Sequence, residues 1–198
     1  MSATGWGVRS GDDAGDWRPG EPVIEPYHRT PVRVRDPDPR SPAVAAFVAE
    51  LISTAVPGLR AEHVGSSAVP DLAGKGTIDL LLPTPAERIP EVTSSLLALG
   101  FQFQPAPRTF PDSRPMLQGV ARYRERRYRV HLHIVPDASP EIGELRGFRD
   151  ALRGDRSLRR DYEQLKRSIV ARGLTEASQF TQAKQDFIVA ALRRLGFR

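Results

Sequence analysis

The chain has 198 residues, of which 39% are hydrophobic and 27% are charged, with a net charge of +5 and no cysteine. These values suit one domain with a sizeable core, and they exclude wholesale disorder, a disulfide framework and thiolate metal sites. No apolar run approaches the ~18 residues of a membrane span, and no apolar segment follows the N-terminal charges as in a secretory signal, so we expect a cytoplasmic protein.

Six prolines interrupt the first 40 residues and prevent a long helix there. We expect residues 1–20 to form a flexible N-terminal extension and residues 21–198 to form a single domain. Within this arm, residues 22–27 and residues 32–35 each fit a short edge strand or a segment lying across the domain. The prolines are Pro19, Pro22, Pro26, Pro31, Pro37 and Pro39.

A helix is predicted after the arm, with Ser41 as its N-cap and Pro42 at the first helical position. We expect it to end before Pro57. Its apolar stripe consists of Val44, Phe47, Val48, Leu51 and Ile52.

The middle of the chain alternates short strands with one helix. Gly100 supplies the left-handed conformation that ends helices, and Pro83 closes the second strand. The predicted elements are strand 61–64, strand 77–82, helix 87–99, strand 101–104 and loop 105–115.

Residues 119–135 alternate charged and apolar side chains, which predicts a hairpin or one long strand. From residue 140 onward the pattern is helical, and two or three helices are expected to pack on the sheet or on each other. The overall class is therefore α+β, with the sheet in the middle of the chain and a helical C-terminal region.

The segment from Gly65 to Asp79 has a residue pattern suited to binding a phosphate. The glycine allows the backbone to approach a phosphate, while Ser66, Ser67 and neighbouring N–H groups can donate hydrogen bonds to it. Lys75 can add a positive charge, and Asp79 can hold a divalent cation against the same phosphate. The alternative is a plain turn with Asp79 in a structural hydrogen bond.

A second candidate set follows one face of the strand after residue 126. Arg127, Arg129, His131 and His133 would form a cationic row suited to phosphate or carboxylate groups. The opposite face would join the core. Two alternatives stay open: the histidines support the Gly65 loop, or with His63 or Asp79 they bind a transition metal. The core-facing residues are Tyr128, Val130, Leu132 and Ile134.

Two residues precede the Gly65 turn. His63 is expected to support the site from outside rather than to react, and Glu62 is a weak candidate for a base. The positive charge is spread over the chain and no basic and aromatic stacking motif is visible, so a small anionic ligand is favoured over nucleic acid.

Six segments in the correct order resemble the GrpB family. The resemblance implies a nucleotidyltransferase-like mixed sheet flanked by helices, in a family that also occurs fused to dephospho-CoA kinase. The segments are Val-Ile-Glu-Pro-Tyr at 23–27, Glu-His-Val-Gly-Ser-Ser-Ala-Val-Pro at 62–70, His-Leu-His-Ile-Val at 131–135, Phe-Arg-Asp-Ala-Leu at 148–152, Tyr-Glu-Gln-Leu-Lys at 162–166 and Lys-Gln-Asp-Phe-Ile at 184–188.

Carried over from nucleotidyltransferases, the turn Gly65-Ser66 would hold a nucleoside triphosphate and Asp79 would bind Mg²⁺. The resemblance therefore implies a magnesium-dependent transferase with an unknown acceptor. However, the second metal carboxylate is expected at position 81, where this chain has Leu81. The alternative is a degenerate or repurposed member that binds a nucleotide or another anionic small molecule.

Overall fold

The computed structural model describes residues 23–105 and 110–197. The predicted flexible extension at residues 1–20 lies outside this part of the chain. Within the described residues, no helix combines the length and the apolar character needed to cross a bilayer.

One mixed six-stranded sheet forms the centre of the molecule, in the order β1-β5-β6-β3-β2 with β4 also paired to β5. β3 and β6 are parallel, whereas the other pairs are antiparallel. The predicted α+β class with a mixed sheet is confirmed. The strands are β1 (Ile24–Glu25), β2 (Glu62–Val64), β3 (Thr77–Thr84), β4 (Gln102–Phe103), β5 (Met116–Tyr123) and β6 (Arg126–Pro136).

Strand β3 continues through Pro83, two residues beyond its predicted end at Leu82. Strand β2 pairs with β3 only up to Leu81. Pro83 therefore lies where β3 has β6 on one side alone, and a residue without an N–H group is tolerated at such an edge.

Of the two alternatives for residues 119–135, the structure has the hairpin, formed by β5 and β6 and joined through Arg124 and Glu125. Arg124 has φ of +51°, the left-handed conformation that a tight hairpin turn requires. β5 begins at Met116, three residues before the predicted start at Gly119, because its pairing with β6 extends as far as His133.

Two helices, α1 (Ser41–Ala55) and α2 (Ile89–Ala98), pack on one face of the sheet. The prediction that Ser41 is the N-cap was wrong, since Ser41 is the first helical residue and Arg40 is the cap. Asp38 explains the shift: its side chain accepts a hydrogen bond from the N–H of Arg40 at 2.9 Å, and its carbonyl accepts from Ser41 at 3.0 Å.

In the described C-terminal region, residues 140–197, there are four helices rather than two or three. They are α3 (Glu141–Gly154), α4 (Arg156–Ala171), α5 (Ala177–Gln182) and α6 (Gln185–Arg194). The additional boundaries are set by side-chain caps, because Asp155 accepts hydrogen bonds at the start of α4 and Glu176 does so at the start of α5. These helices leave a cleft over the second face of the sheet.

The two predicted segments of the arm behave differently. β1 pairs with the edge of β5, as an edge strand. Residues 32–35 instead lie across the domain: the N–H of Val32 donates to the carbonyl of Thr175 at 2.7 Å, and Arg35 makes one isolated bridge with Gly74.

Candidate functional site

A cleft of about 2040 Å³ lies over the sheet face opposite α1 and α2 and extends along the N-terminal arm as far as Ser41 and Pro42 at the start of α1. Residues of β3, β5 and β6 form its floor, and the segment after β2 together with the C-terminal helices forms its walls. Most of the predicted site residues line this cleft, including Gly65, Ser66, Ser67, Lys75 and Asp79.

The turn at the end of β2 is brought directly over Asp79. Gly65 has φ of +70° and ψ of −168°, a conformation that is almost restricted to glycine. A single turn of 3-10 helix, Ser66–Ala68, follows. The backbone of the turn and the side chain of Asp79 therefore share one end of the cleft, as the spacing predicts.

Asp79 is ionised although it is largely enclosed. Burial alone would raise its pKa, but the charge of Lys75 and a hydrogen bond with His131 outweigh burial and hold the pKa below its usual value. Oδ1 of Asp79 lies 3.4 Å from Nδ1 of His131. Nζ of Lys75 lies 3.5 Å from the same ring nitrogen, so the carboxylate already has a cation beside it.

The two histidines of β6 are uncharged at neutral pH. Burial lowers the pKa of His133 to about 3, and burial together with the charge of Lys75 lowers that of His131. The expected cationic row is therefore cationic only at its arginines.

Those two arginines are engaged with the N-terminal arm. Arg127 is 66% exposed and lies 2.8 Å from a carboxylate oxygen of Glu25. Arg129 donates hydrogen bonds to Oγ1 of Thr30 at 2.7 Å and to the carbonyl of Lys75 at 3.3 Å. The four residues of the row thus make different contacts, and Arg129 supports the loop that carries Lys75.

His63 and Glu62 lie behind the turn. Nε2 of His63 is 2.9 Å from Oγ of Ser67, and burial lowers the pKa of His63 to about 4. Glu62 is held in an ion pair with Arg146 of α3. These contacts fix the turn in position and leave Glu62 paired.

Two lysines of the helical region, which the sequence interpretation missed, complete this end of the cleft. Lys166 of α4 is 1% exposed, donates a hydrogen bond to the carbonyl of Ala73 and lies 3.4 Å from Oγ of Ser66. The charge of Asp79 acts on Lys184, which lies just before α6, and the charge of Lys184 in turn lowers the pKa of Lys166. The sequence feature that could have revealed Lys166 is its position, since it is a lysine inside the otherwise apolar stripe of α4.

Lys75, Lys166 and Lys184 are the only lysines in the chain, among 29 residues of Lys and Arg. We call them the lysine cluster, since all three line the same cleft. None of them forms a direct ion pair with a carboxylate within the part of the chain that the structure describes. Burial lowers the pKa of each, that of Lys166 to about 7 with a contribution from Lys184.

Position 81 belongs to the hydrophobic core. Leu81 is fully buried and packs with Val64, Val135 and Ile142 below α3. Among residues 23–105 and 110–197, no three His, Asp or Glu side chains come together as a metal-binding group. These residues suit at most one Mg²⁺, held by Asp79 and by phosphates of a ligand, and they do not suit a two-metal centre.

The region of the cleft that adjoins the lysine cluster is built around Arg114, which the sequence interpretation also missed. Its Nε donates to Glu141 at 2.6 Å, its Nη2 lies 3.5 Å from Nδ1 of His133, and the ring of Phe110 lies 4.5 Å from its central carbon. Nη1 of Arg114 and Nε2 of Gln118 are buried without a hydrogen-bond partner in the described structure.

Comparison with known proteins places the chain in a family. The sequence model described as GrpB protein matches residues 31–194. A UPF0157 protein of Pseudomonas aeruginosa is 35% identical over 168 residues, which cover 82% of this chain and 67% of that relative. A dephospho-CoA kinase of Mycolicibacterium paratuberculosis is 30% identical over 193 residues, but the match covers 84% of this chain and only 46% of the kinase.

Solved structures agree on the fold. A GrpB protein from Enterococcus faecalis matches with a TM-score of 0.66 at 21% identity, covering 82% of this chain and 99% of the other. The Cid1 poly(U) polymerase matches with a TM-score of 0.52 at 10% identity, covering 76% of this chain and 49% of the polymerase. The fold is therefore similar to that of nucleotidyltransferases. The chain belongs to the GrpB family.

Proposed function

We propose that the cleft binds the phosphates of a nucleotide, or of a related anionic small molecule, with the lysine cluster supplying the positive charge. One observation carries the proposal: the only three lysines of an arginine-rich chain meet around Ser66 and Asp79. They come from the loop before β3, from α4 and from the segment before α6, so the fold as a whole brings them together.

The charge balance at this end favours an anion. Three lysines share two carboxylates, since Asp79 acts on Lys75 and Lys184 and Glu163 acts on Lys166, and burial opposes the charged form of each lysine. The charge of Glu163 also reaches Lys166, but Glu163 is itself paired with Arg167 at 2.8 Å. A bound phosphate would offset the repulsion among the lysines and would accept their hydrogen bonds.

The Gly65 turn supports the same ligand. Successive backbone N–H groups at such a turn form a concave anion site, and the hydroxyls of Ser66 and Ser67 lie beside them. Lys166 already contacts Ser66, so a phosphate on the turn would meet both groups.

Of two candidate functions, we favour binding of the anionic ligand without magnesium. Lys75 already acts as a cation on Asp79, and the place of a second carboxylate is taken by the buried Leu81. The second candidate is magnesium-dependent nucleotidyl transfer to an unknown acceptor. Asp79 supports it, because a carboxylate that follows a glycine-serine turn is the first metal ligand that the resemblance to nucleotidyltransferases implies.

Calorimetric titration with tripolyphosphate and with ATP, first in EDTA and then in magnesium, separates the two candidates. The lysine proposal predicts saturable binding in EDTA, weakened about tenfold or more by Lys184→Met. Arg160→Met, which removes an exposed cation of α4, is the matched control.

The Asp79→Asn variant distinguishes most clearly between anion binding through the lysines and binding through magnesium. Without the carboxylate charge, anion binding through lysines is retained or becomes tighter, whereas binding through magnesium is lost. Asp161→Asn removes an exposed acid and serves as the control. Binding that strictly requires magnesium and disappears in Asp79→Asn would reject the lysine proposal in favour of the second candidate. No binding in any condition rejects both.

A further inference from the structure

The cleft is larger than a phosphate site needs. Its volume of about 2040 Å³ exceeds the roughly 300–1,000 Å³ of usual small-molecule pockets. The lysine cluster and the Gly65 turn account for one end. The adjoining region around Arg114 and Gln118 has a different chemistry and no role in the proposed phosphate binding.

Gln118 and Arg114 lie beside the two histidines of β6. Gln118 of β5 lies opposite His131 of β6, and Met116 lies opposite His133, so these side chains share the cleft face. Arg114 reaches His133 through Nη2 at 3.5 Å. Two residues along a strand span ~6.7 Å, so His133 is about that far along the strand from His131 and Asp79.

This region presents hydrogen-bond donors. Gln118 is 2% exposed, and its Nε2 has no partner within the described structure; the same is true of Nη1 of Arg114. Arginine can only donate, so its contact with Nδ1 of His133 makes that atom an acceptor and places the proton on Nε2. Buried donors without acceptors are unfavourable, so these groups indicate a ligand with acceptor atoms.

The charge in this region is nearly balanced. Nε and Nη2 of Arg114 are both bonded to Glu141, which offsets the guanidinium charge and fixes its orientation. His133 is neutral, because burial lowers its pKa to about 3. A neutral group with carbonyl oxygens therefore suits this region better than a second phosphate.

Flat, apolar surfaces border the donors. The ring of Phe110 lies over the guanidinium at 4.5 Å, and its centroid is 5.9 Å from that of His133. Met116, which is 5% exposed, lines the same part of the cleft. Aromatic and apolar walls of this kind favour a planar ring.

We propose that Arg114, Gln118, His133 and Phe110 form a subsite for a nucleobase that carries carbonyl oxygens, such as uracil. This inference rests on the proposed nucleotide binding and adds the identity of the base. The base belongs either to the nucleotide whose phosphates contact the lysine cluster or to a second substrate.

Titration with UTP, CTP and tripolyphosphate tests the subsite. UTP and CTP differ at position 4, where UTP has an acceptor oxygen and CTP has a donor amino group, and at N3, which carries a hydrogen in UTP and is an acceptor in CTP. We expect UTP to bind about tenfold more tightly than CTP, because the amino group of CTP cannot accept the hydrogen bond that the oxygen at position 4 of UTP accepts from a buried donor. Gln118→Leu should remove this difference and leave tripolyphosphate binding unchanged. Phe110→Leu should weaken UTP and CTP alike.

Tripolyphosphate binding also shows that each variant is folded. Equal affinity of wild-type protein for UTP, CTP and tripolyphosphate overturns the base subsite while the phosphate proposal stands. If tripolyphosphate does not bind, the phosphate proposal fails, and titration with uridine and cytidine then decides the subsite: preference for uridine supports it, and absence of binding overturns it. Uridine that competes with UTP identifies the base of the same nucleotide, whereas uridine that binds beside UTP identifies a second substrate.

Discussion

A β-carbon on Gly65 would lie 2.6 Å from Oδ2 of Asp79. The backbone of the turn therefore rests against the carboxylate, and no larger residue fits between them. This contact joins the end of β2 to the middle of β3, where Val64 and Asp79 are paired in register. The Gly65 turn and Asp79 therefore form one structural unit of the site.

Gly65→Ala is expected to abolish tripolyphosphate binding and to destabilise the protein. The backbone conformation alone costs about 1–3 kcal/mol for alanine, and the contact with Asp79 adds to this. Gly58→Ala is a matched control, because Gly58 also has positive φ, +85°, but a β-carbon there would meet no atom within 4 Å. Calorimetric titration and urea unfolding measure both effects. Equal behaviour of the two variants would show that the contact with Asp79 is unimportant.

Leu81→Asp is expected to destabilise the protein without creating a metal site. Position 81 is fully buried against Val135 and Ile142, so an aspartate there would be an unpaired charge in an apolar cluster. We expect a loss of more than the ~2–5 kcal/mol typical of a buried Leu→Ala change. Leu195→Asp, at a residue 43% exposed, should have little effect. A stable Leu81→Asp protein with tighter magnesium binding in calorimetry would contradict this view.

Local patterns in the sequence were sufficient for much of the fold and for part of the site. The alternation after residue 119 indicated a hairpin or one long strand, and the spacing between the glycine-serine turn and Asp79 indicated that the two lie close together. Strand pairing controls both. Lys166 and Lys184 could not be assigned to the site in this way. The contact of Lys166 with Ser66 and the position of Lys184 near Asp79 and Lys166 depend on how α4 and α6 pack, which no local spacing specifies.

Tertiary packing, which local spacing does not specify, also determines the charge of the two histidines and the surroundings of Leu81. His131 and His133 were expected to be cationic, but burial makes them neutral, and the degree of burial follows from tertiary packing. Leu81 was correctly expected on the face of Asp79. That it forms a core with Ile142 could be seen only once α3 was in place.

Anion affinity should decrease as pH rises through neutrality. Burial lowers the pKa of Lys166 to about 7 in the free protein, so its ammonium group loses charge above this value. Because tripolyphosphate also titrates, the quantity to compare is the ratio of affinities of wild type and Lys166→Met. This ratio should be largest below pH 7 and should approach one at higher pH. A ratio that does not change with pH would show that Lys166 carries no titrating charge at the site.

The stability of the ligand-free protein should show the opposite trend. The pKa of Lys166 is about 7 in the folded state and 10.5 as the ordinary value, so between these values the unfolded chain binds more protons. Lys166 therefore makes the free energy of unfolding rise with pH between about 7 and 10.5, and below pH 7 the contribution of Lys166 to this free energy is constant. Urea unfolding of wild type and Lys166→Met at several pH values isolates the effect, with Arg160→Met as the control on the same helix. The difference between wild type and Lys166→Met should shift in favour of wild type as pH rises, and a constant difference would mean that the folded protein keeps Lys166 charged throughout.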